Sequence, residues 1–366
     1  MAKRIPPPRI QDQSNAYNLA QQRLASFPPT KRSINLSRLG LTKLPPEIGS
    51  FTKLKELDLR FNNLESLPPE IGRLGALKYL RVSDNRLKTL PPEIGNLGML
   101  EALQLDNNQL TALPSQINQL KALQWLSIKN NQLAELPRID KLMKLEQLYL
   151  NRNKLRKLPP DICKIGALSR LNLDNNRLPR LPLEIGELTQ LLELNLANNR
   201  LKVFPIQICE LTSLEDLNLD GNSIATLPAE IGKLTSLMHL HLCENRLSAL
   251  PPEIGALIEL AMLDLSFNQL EAVPTEIGEL RQLGMLYLEK NALSSLPETM
   301  RRMKQLGILM LQQNRALGIP PEILGQNLFD ANDESALGKP TEILDYYFSK
   351  NTRRRRIEKK MKRRTT

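Results

Sequence analysis

The chain has 366 residues, 41% of them hydrophobic, with three cysteines and a formal charge of +11. It is longer than a single-core domain usually grows, yet no apolar run approaches the roughly 20 residues needed to span a bilayer, and residues 1–8 carry charge without the continuous apolar stretch of a signal peptide. Three cysteines without a clustered pattern fit a reducing compartment, so a cytoplasmic location is expected, with the nucleus open as well if the host is eukaryotic.

Residues 1–13 are basic and proline-rich and are expected to be disordered. Residues 14–30 place Tyr17, Ala20, Leu24 and Phe27 at helical spacing behind Ser14 or Asn15 as N-cap, which predicts an amphipathic cap helix. From residue 31 to 328 one phrase of about 23 residues recurs thirteen times. Its clearest copy has Leu54, Leu57, Leu59, Asn62, Leu64, Leu67, Pro68, Ile71, Gly72 and Leu74. A unit of this size cannot bury its apolar face alone, so it must stack on its neighbours as a solenoid.

Each letter of the phrase has a physical task. Leu57 and Leu59 lie two apart and so share one face of a short strand, and the residues between them face solvent. Such strands stack as a parallel sheet with a spacing of about 4.8 Å. The asparagine after the strand can both donate to and accept from backbone groups of a turn that runs inward. It stands in twelve copies, from Asn62 to Asn314, and the first copy has Leu39 instead. The proline that follows, Pro45 through Pro320, excludes a long helix from the return segment. The fifth repeat, starting at Leu123, lacks one residue before Ile139; the gap falls on the return, so the sheet is expected to continue past it. The last repeat has Ala316 and Gln326 in apolar slots, as a terminal unit should. Residues 329–350 read as a C-terminal cap whose helix opens at Pro340 and carries Tyr346, Tyr347 and Phe348. Residues 351–366 read as a disordered basic tail.

Pro45-Pro46-Glu47-Ile48-Gly49, Pro91-Pro92-Glu93-Ile94-Gly95 and Pro251-Pro252-Glu253-Ile254-Gly255 carry a family resemblance. The chain resembles cytoplasmic leucine-rich-repeat proteins of the Leu-Pro-Pro-Glu-Ile-Gly type, like the repeats of bacterial Roco proteins and of the Ras-pathway leucine-rich scaffold of animals. The resemblance implies an α/β solenoid of horseshoe form, with a parallel sheet on the concave face, an irregular or 3-10 convex side and helical caps. It also implies a binding scaffold in intracellular signalling or regulation. The GTPase activity of Roco proteins is not carried over, because no Gly-x-x-x-x-Gly-Lys-Ser/Thr phosphate loop occurs in the chain. Cys163 and Cys209 share the glycine slot two repeats apart, about 10 Å by strand spacing, too far for a disulfide.

The charge is unevenly placed. Residues 350–366 contribute +9 and residues 1–10 contribute +3, which leaves −1 for the whole body between them. The tail runs Arg353–Arg356 and Lys359 to Arg364 have no interleaved aromatics for base stacking. A solvated end, an electrostatic contact with nucleic acid or an anionic membrane, and a nuclear-import signal all remain open for it.

Positions three, five and seven of each repeat are left free by the core and should line the concave face in rows. Repeats three to seven place Tyr79, Arg81, Trp125, Lys129, Tyr149 and Arg170 there, residue types that dominate interface hot spots. Repeats seven to nine place Asp174, Glu193, Asp216 and Asp220, an acidic middle. Repeats eleven to thirteen place Met262, Met285, Tyr287, Ile308 and Met310, open either to a partner or to cover by the C-terminal aromatics. Scattered apolar side chains on a surface are ordinary, and that reading stands beside the functional one.

His239 and His241, the only histidines, alternate with Cys243 on the same face. With Asp216 and Asp264 on neighbouring strands they form a weak zinc candidate; a polar, pH-responsive patch is the blander alternative. No cofactor is expected. A nucleophile needs a base, an orienting group and a site shielded from water, and an open sheet face offers no such shelter. The sequence therefore reads as a non-enzymatic scaffold binding a protein on its concave face. The alternatives are attachment to nucleic acid or an anionic surface through the tail, and a metal-dependent binder using His239 and His241.

Overall fold

The computed structural model describes the backbone of residues 10–326 and 337–350 and side chains from Asn15 onward. Of the disorder expected over residues 1–13, residues 1–9 lie outside the described residues and residues 10–13 are helical; residues 351–366 and part of the C-terminal cap also lie outside the described residues. The chain divides between Leu191 and Leu192 into two compact units.

The first unit opens with helix α1 (Ile10–Ser26), which buries Ala16, Ala20 and Leu24. This corrects the start expected at Ser14 or Asn15. Residues 10–14 hold no proline or glycine, and the bar to helix is the proline run at 6–8. Gln21 Nε2 donates to Glu47 Oε1 at 2.9 Å, tying the helix to the first repeat.

Seven three-residue strands follow: β1 (Ser33–Asn35), β2 (Glu56–Asp58), β3 (Tyr79–Arg81), β4 (Ala102–Gln104), β5 (Trp125–Ser127), β6 (Gln147–Tyr149) and β7 (Arg170–Asn172). They pair in parallel with every leucine opposite a leucine or isoleucine, such as Leu57 with Leu80. The second unit carries β8 (Glu193–Asn195), β9 (Asp216–Asn218), β10 (His239–His241), β11 (Met262–Asp264), β12 (Met285–Tyr287) and β13 (Ile308–Met310), again parallel and in sequence order. The central residues of all these strands, Ile34 in β1 and leucines in the rest, are at most 1% exposed.

Each return is built by the proline. Pro68 has φ −71° and ψ 150°, and the next five residues, Pro69–Arg73, form a 3-10 turn that buries Ile71. Gly72 is required there, because a Cβ would stand 2.6 Å from the Glu93 carbonyl of the next turn. Where Cys163 and Cys209 take the same slot, burial pushes both thiols up to about 12. The short fifth repeat has no 3-10 turn, yet Leu126 still pairs with Leu148, so the sheet continues as expected. Asn118 replaces the missing bonds: its Nδ2 donates to Asp140 Oδ1 and its Oδ1 accepts from Lys141 N–H, both at 2.9 Å.

A second regularity follows each strand. Position eight is in the left-handed region in repeat after repeat, from Arg38 (φ 58°) to Gln313 (φ 63°), twelve side-chain-bearing residues together with Gly221. This sharp reversal turns the following asparagine inward, where it is buried in ten repeats and half-buried at Asn199 and Asn291. Five of the twelve are Asn or Asp, the side chains that tolerate this conformation best.

At the C-terminal end, α2 (Pro321–Leu324) is followed by a bridge from Gly325 to Leu337 and by α3 (340–350). Tyr347 is buried, and its hydroxyl accepts from Leu296 N–H at 3.1 Å. Arg301 pairs with Asp345 at 2.7 Å, and Lys350 Nζ donates to Gly318 O. Helix α3 therefore seats on the return segments of the last repeats. Its aromatics do not cover the open face around Met262 and Met285.

Candidate partner-binding face

In the first unit the open face of the sheet carries the expected aromatic and cationic residues. Tyr79, Arg81, Trp125, Lys129, Tyr149 and Arg170 are all partly exposed, as their odd positions on the strands require. Tyr79 and Trp125 lie in one row with Ala102 between them, since Tyr79 pairs with Ala102 and Ala102 with Trp125. The small alanine leaves a dip between two large rings. Tyr149 stands on the next strand opposite Ser127, whose hydroxyl is buried and donates to Asp106 Oδ1 at 2.6 Å.

The rings are held rather than free. Tyr79 Oη donates to Glu101 Oε2 at 3.0 Å, and Lys78 pairs with the same carboxylate at 2.5 Å. That hydrogen bond to Glu101 raises the Tyr79 phenol above its ordinary value. The Arg81 guanidinium lies 5.9 Å from the Tyr79 ring centre. Lys129 Nζ sits 4.2 Å above the Tyr149 ring, and Tyr149 Oη donates to Gln147 Oε1 at 3.0 Å. Trp125 is different: its indole Nε1 is buried without an acceptor.

Sequence reasoning missed a further aromatic row. Phe61, 44% exposed at φ 56°, stacks under the Arg38 guanidinium at 4.4 Å, and Phe267 under Lys290 Nζ at 3.9 Å. In both cases ring and cation occupy position eight of adjacent repeats. Reading that column down the repeats, as was done for positions three and five, would have found them.

In the second unit Met262, Met285 and Tyr287 are partly exposed, with Tyr287 Oη 3.4 Å from Met285 Sδ. Met310 is only 1% exposed, which corrects its place among the open-face residues. Strand alternation alone put it outside; the packing around the last strand buries it.

The histidine pair stands in the expected register, His239 beside Asp216 and His241 beside Asp264. His239 Nδ1 is 3.5 Å from Asp216 Oδ2. The remaining carboxylates are turned to the backbone: Asp264 Oδ1 accepts from Ser266 N–H at 2.9 Å and Asp220 Oδ1 from Cys243 N–H at 2.6 Å. Among the described residues no three His, Cys, Asp or Glu side chains, including His239, His241, Cys243, Asp216 and Asp264, converge as a metal site. Burial lowers His241 and, with Asp264 and Asp220 nearby, raises the Cys243 thiol. A raised thiol is the reverse of what a cysteine nucleophile requires.

The repeat geometry has matches among known proteins. The family model for a leucine-rich repeat region matches residues 69–148, 182–266 and 229–323, and that for a single leucine rich repeat matches 53–74 and 144–165. A solved leucine-rich-repeat protein of Leptospira interrogans is 38% identical, with a TM-score of 0.70 over 77% of this chain and 78% of that one. The chain belongs to the leucine-rich-repeat family. This repeat protein is also similar to a TDR receptor (28% identity, TM-score 0.67, 73% of this chain and 48% of that one). A plant peptide hormone receptor, RGFR1, in complex with RGF2 matches at 27% identity and a TM-score of 0.51, over 79% of this chain and 60% of that one. The chain thus spans only 48% and 60% of the length of these two receptors. A comparison with curated protein sequences returns no match. Among the described residues of the repeat protein, no helix is long and apolar enough to cross a membrane.

Proposed function

We propose that this repeat protein is a non-enzymatic scaffold that binds a protein partner on the open sheet face of repeats three to seven. Tyr79, Trp125 and Tyr149 are the anchors, and Arg81, Lys129 and Arg170 supply charged contacts. The observation that carries this reading is Trp125, a large ring partly exposed on the strand face in one row with Tyr79. Short strands fix the backbone, and the Glu101 and Gln147 contacts fix two of the rings, so little side-chain entropy is left to lose.

The likeness to a plant peptide hormone receptor in complex with RGF2 supports a protein or peptide ligand. The Leu-Pro-Pro-Glu-Ile-Gly returns and the three free thiols favour an intracellular, regulatory setting. Met262, Met285 and Tyr287 are a separate candidate contact within the second unit.

The test is an affinity capture with the intact chain against Tyr79→Ala, Trp125→Ala, Tyr149→Ala combined. Hot-spot aromatics contribute about 2 kcal/mol or more each, so the triple variant should keep its circular dichroism and lose its captured partner by more than about a hundredfold in affinity. Retention of the partner at full affinity moves the interface off this face.

A further inference from the structure

The return side of repeats six and seven holds a groove that is apolar in its floor and basic at its edge. Leu158 and Leu181 form the floor of a groove of ≈ 550 Å³, with prolines 160, 179 and 182 as its walls. Arg156, Lys157 and Arg180 stand along its edge, three cations against the one carboxylate of the lining, Glu184. Where the second and third repeats have Pro69 and Pro92 after the leading proline, the seventh has Leu183, and that side chain is 73% exposed. At the positions of Arg156 and Lys157 the second repeat has Glu65 and Ser66 and the fourth Thr111 and Ala112. Cations and an exposed apolar side chain therefore meet around one groove.

The cations are also available. Lys157 makes only an exposed 3.4 Å pair with Glu135. The Arg156 and Arg180 guanidinium groups are exposed and, among the described residues, have no carboxylate within ion-pair distance. Two open guanidinium forks above an apolar floor match carboxylates flanking an apolar side chain, because each fork takes a carboxylate through two parallel N–H bonds. No lining residue is aromatic, so the groove lacks the stacking surface that single-stranded nucleic acid uses. A concave pocket of this volume suits two or three side chains, whereas a lipid surface is flat.

We infer that the groove between the returns of repeats six and seven is a second docking site, for an acidic peptide segment that presents one or two apolar side chains between carboxylates. It is independent of the open-face reading, since the strand residues that carry that reading take no part in it. A protein with both would hold one partner on its sheet and a second, acidic one on its return side.

Fluorescence anisotropy of the full chain with a fluorescein-labelled Asp-Glu-Leu-Leu-Glu-Asp hexapeptide tests this. Saturable binding is expected, weakened more than about tenfold by Arg156→Glu with Arg180→Glu, since like charges then face each other. Leu183→Ser, a milder change on the same rim, should weaken it as well. The Tyr79, Trp125, Tyr149 triple alanine variant should bind normally. Four results overturn the inference: no saturable binding, equal affinity for a labelled hexaglutamate, binding indifferent to the charge reversal (which places it on the basic tail), or Arg156-dependent attachment to phosphatidylserine vesicles without peptide binding.

Discussion

The side chain of Asn108 bonds to the backbone of Leu87 in the preceding repeat: Leu87 N–H donates to Asn108 Oδ1 at 2.9 Å, 21 residues away. The Nδ2 of Asn108 donates in turn to Val82 O and Leu105 O, each at 3.0 Å. One amide thus stitches two repeats and closes its own turn, and both its faces are satisfied in the dry interior. Asn108→Ala leaves the buried Leu87 N–H without an acceptor, while Val82 O and Leu105 O keep the amides of Asn85 and Asn131 as donors. A loss of about 1–3 kcal/mol in urea unfolding is expected. A loss below about 1 kcal/mol would show that water enters the turn and takes over the bonds.

The left-handed row makes the opposite kind of prediction. Glu244 holds φ 53° with an exposed side chain. An L-residue loses about 1–2 kcal/mol there, and glycine loses none of it but brings extra unfolded-state entropy of about 0.5–1 kcal/mol. Glu244→Gly should therefore stabilise by up to about 1 kcal/mol. A fall in melting temperature would assign the glutamate an interaction that its geometry does not reveal.

Two glycines of the first unit form a matched pair. Alanine at Gly72 would press its Cβ to 2.6 Å from Glu93 O, whereas alanine at Gly98 meets nothing within 4 Å. Gly72→Ala should destabilise by about 1–3 kcal/mol through overpacking, and Gly98→Ala should be neutral or slightly stabilising. Equal effects on chemical denaturation would mean that the turns stack more loosely than their spacing implies.

Asp220 gives a pH dependence. Burial, followed by the Asp264 carboxylate, pushes its carboxyl up to about 7, against the Cys243 N–H and Asn218, which favour the charged form; Glu244 adds to the rise. The folded state therefore holds a proton that the unfolded chain releases near its ordinary 3.8. Its contribution to stability is complete below that value and lost as pH rises through about 7. The half-buried His241, whose value is lowered, acts in the other direction, losing stability as pH falls. Asp220→Asn isolates the carboxyl: it should raise stability at pH 8 by about 2–4 kcal/mol and change little at pH 4. Parallel melting curves for the two proteins across that range would contradict the assignment.

Much of this architecture was legible in the repeats. The strand leucines, the inward asparagine and the proline-led return each have one physical solution, so their period predicts sheet, turn and 3-10 segment together. Alternation likewise placed Tyr79, Trp125 and Tyr149 on the open face, where the structure has them. The start of α1 was misplaced because Ser14 and Asn15 are good caps, yet nothing in residues 10–14 prevents a helix from beginning earlier.

What the sequence determined by itself is the period-bound part: which side chains enter the core, how strands register and why the returns stay short. These follow from local geometry that every repeat solves in the same way. Tertiary structure alone decided how residues from different copies meet. It set Lys129 over Tyr149, left the Trp125 indole without an acceptor, buried Met310 and seated Tyr347 against Leu296 on the return side. Those outcomes depend on side-chain direction and on how tightly neighbouring turns approach, quantities that a repeat pattern constrains only to a face and a row.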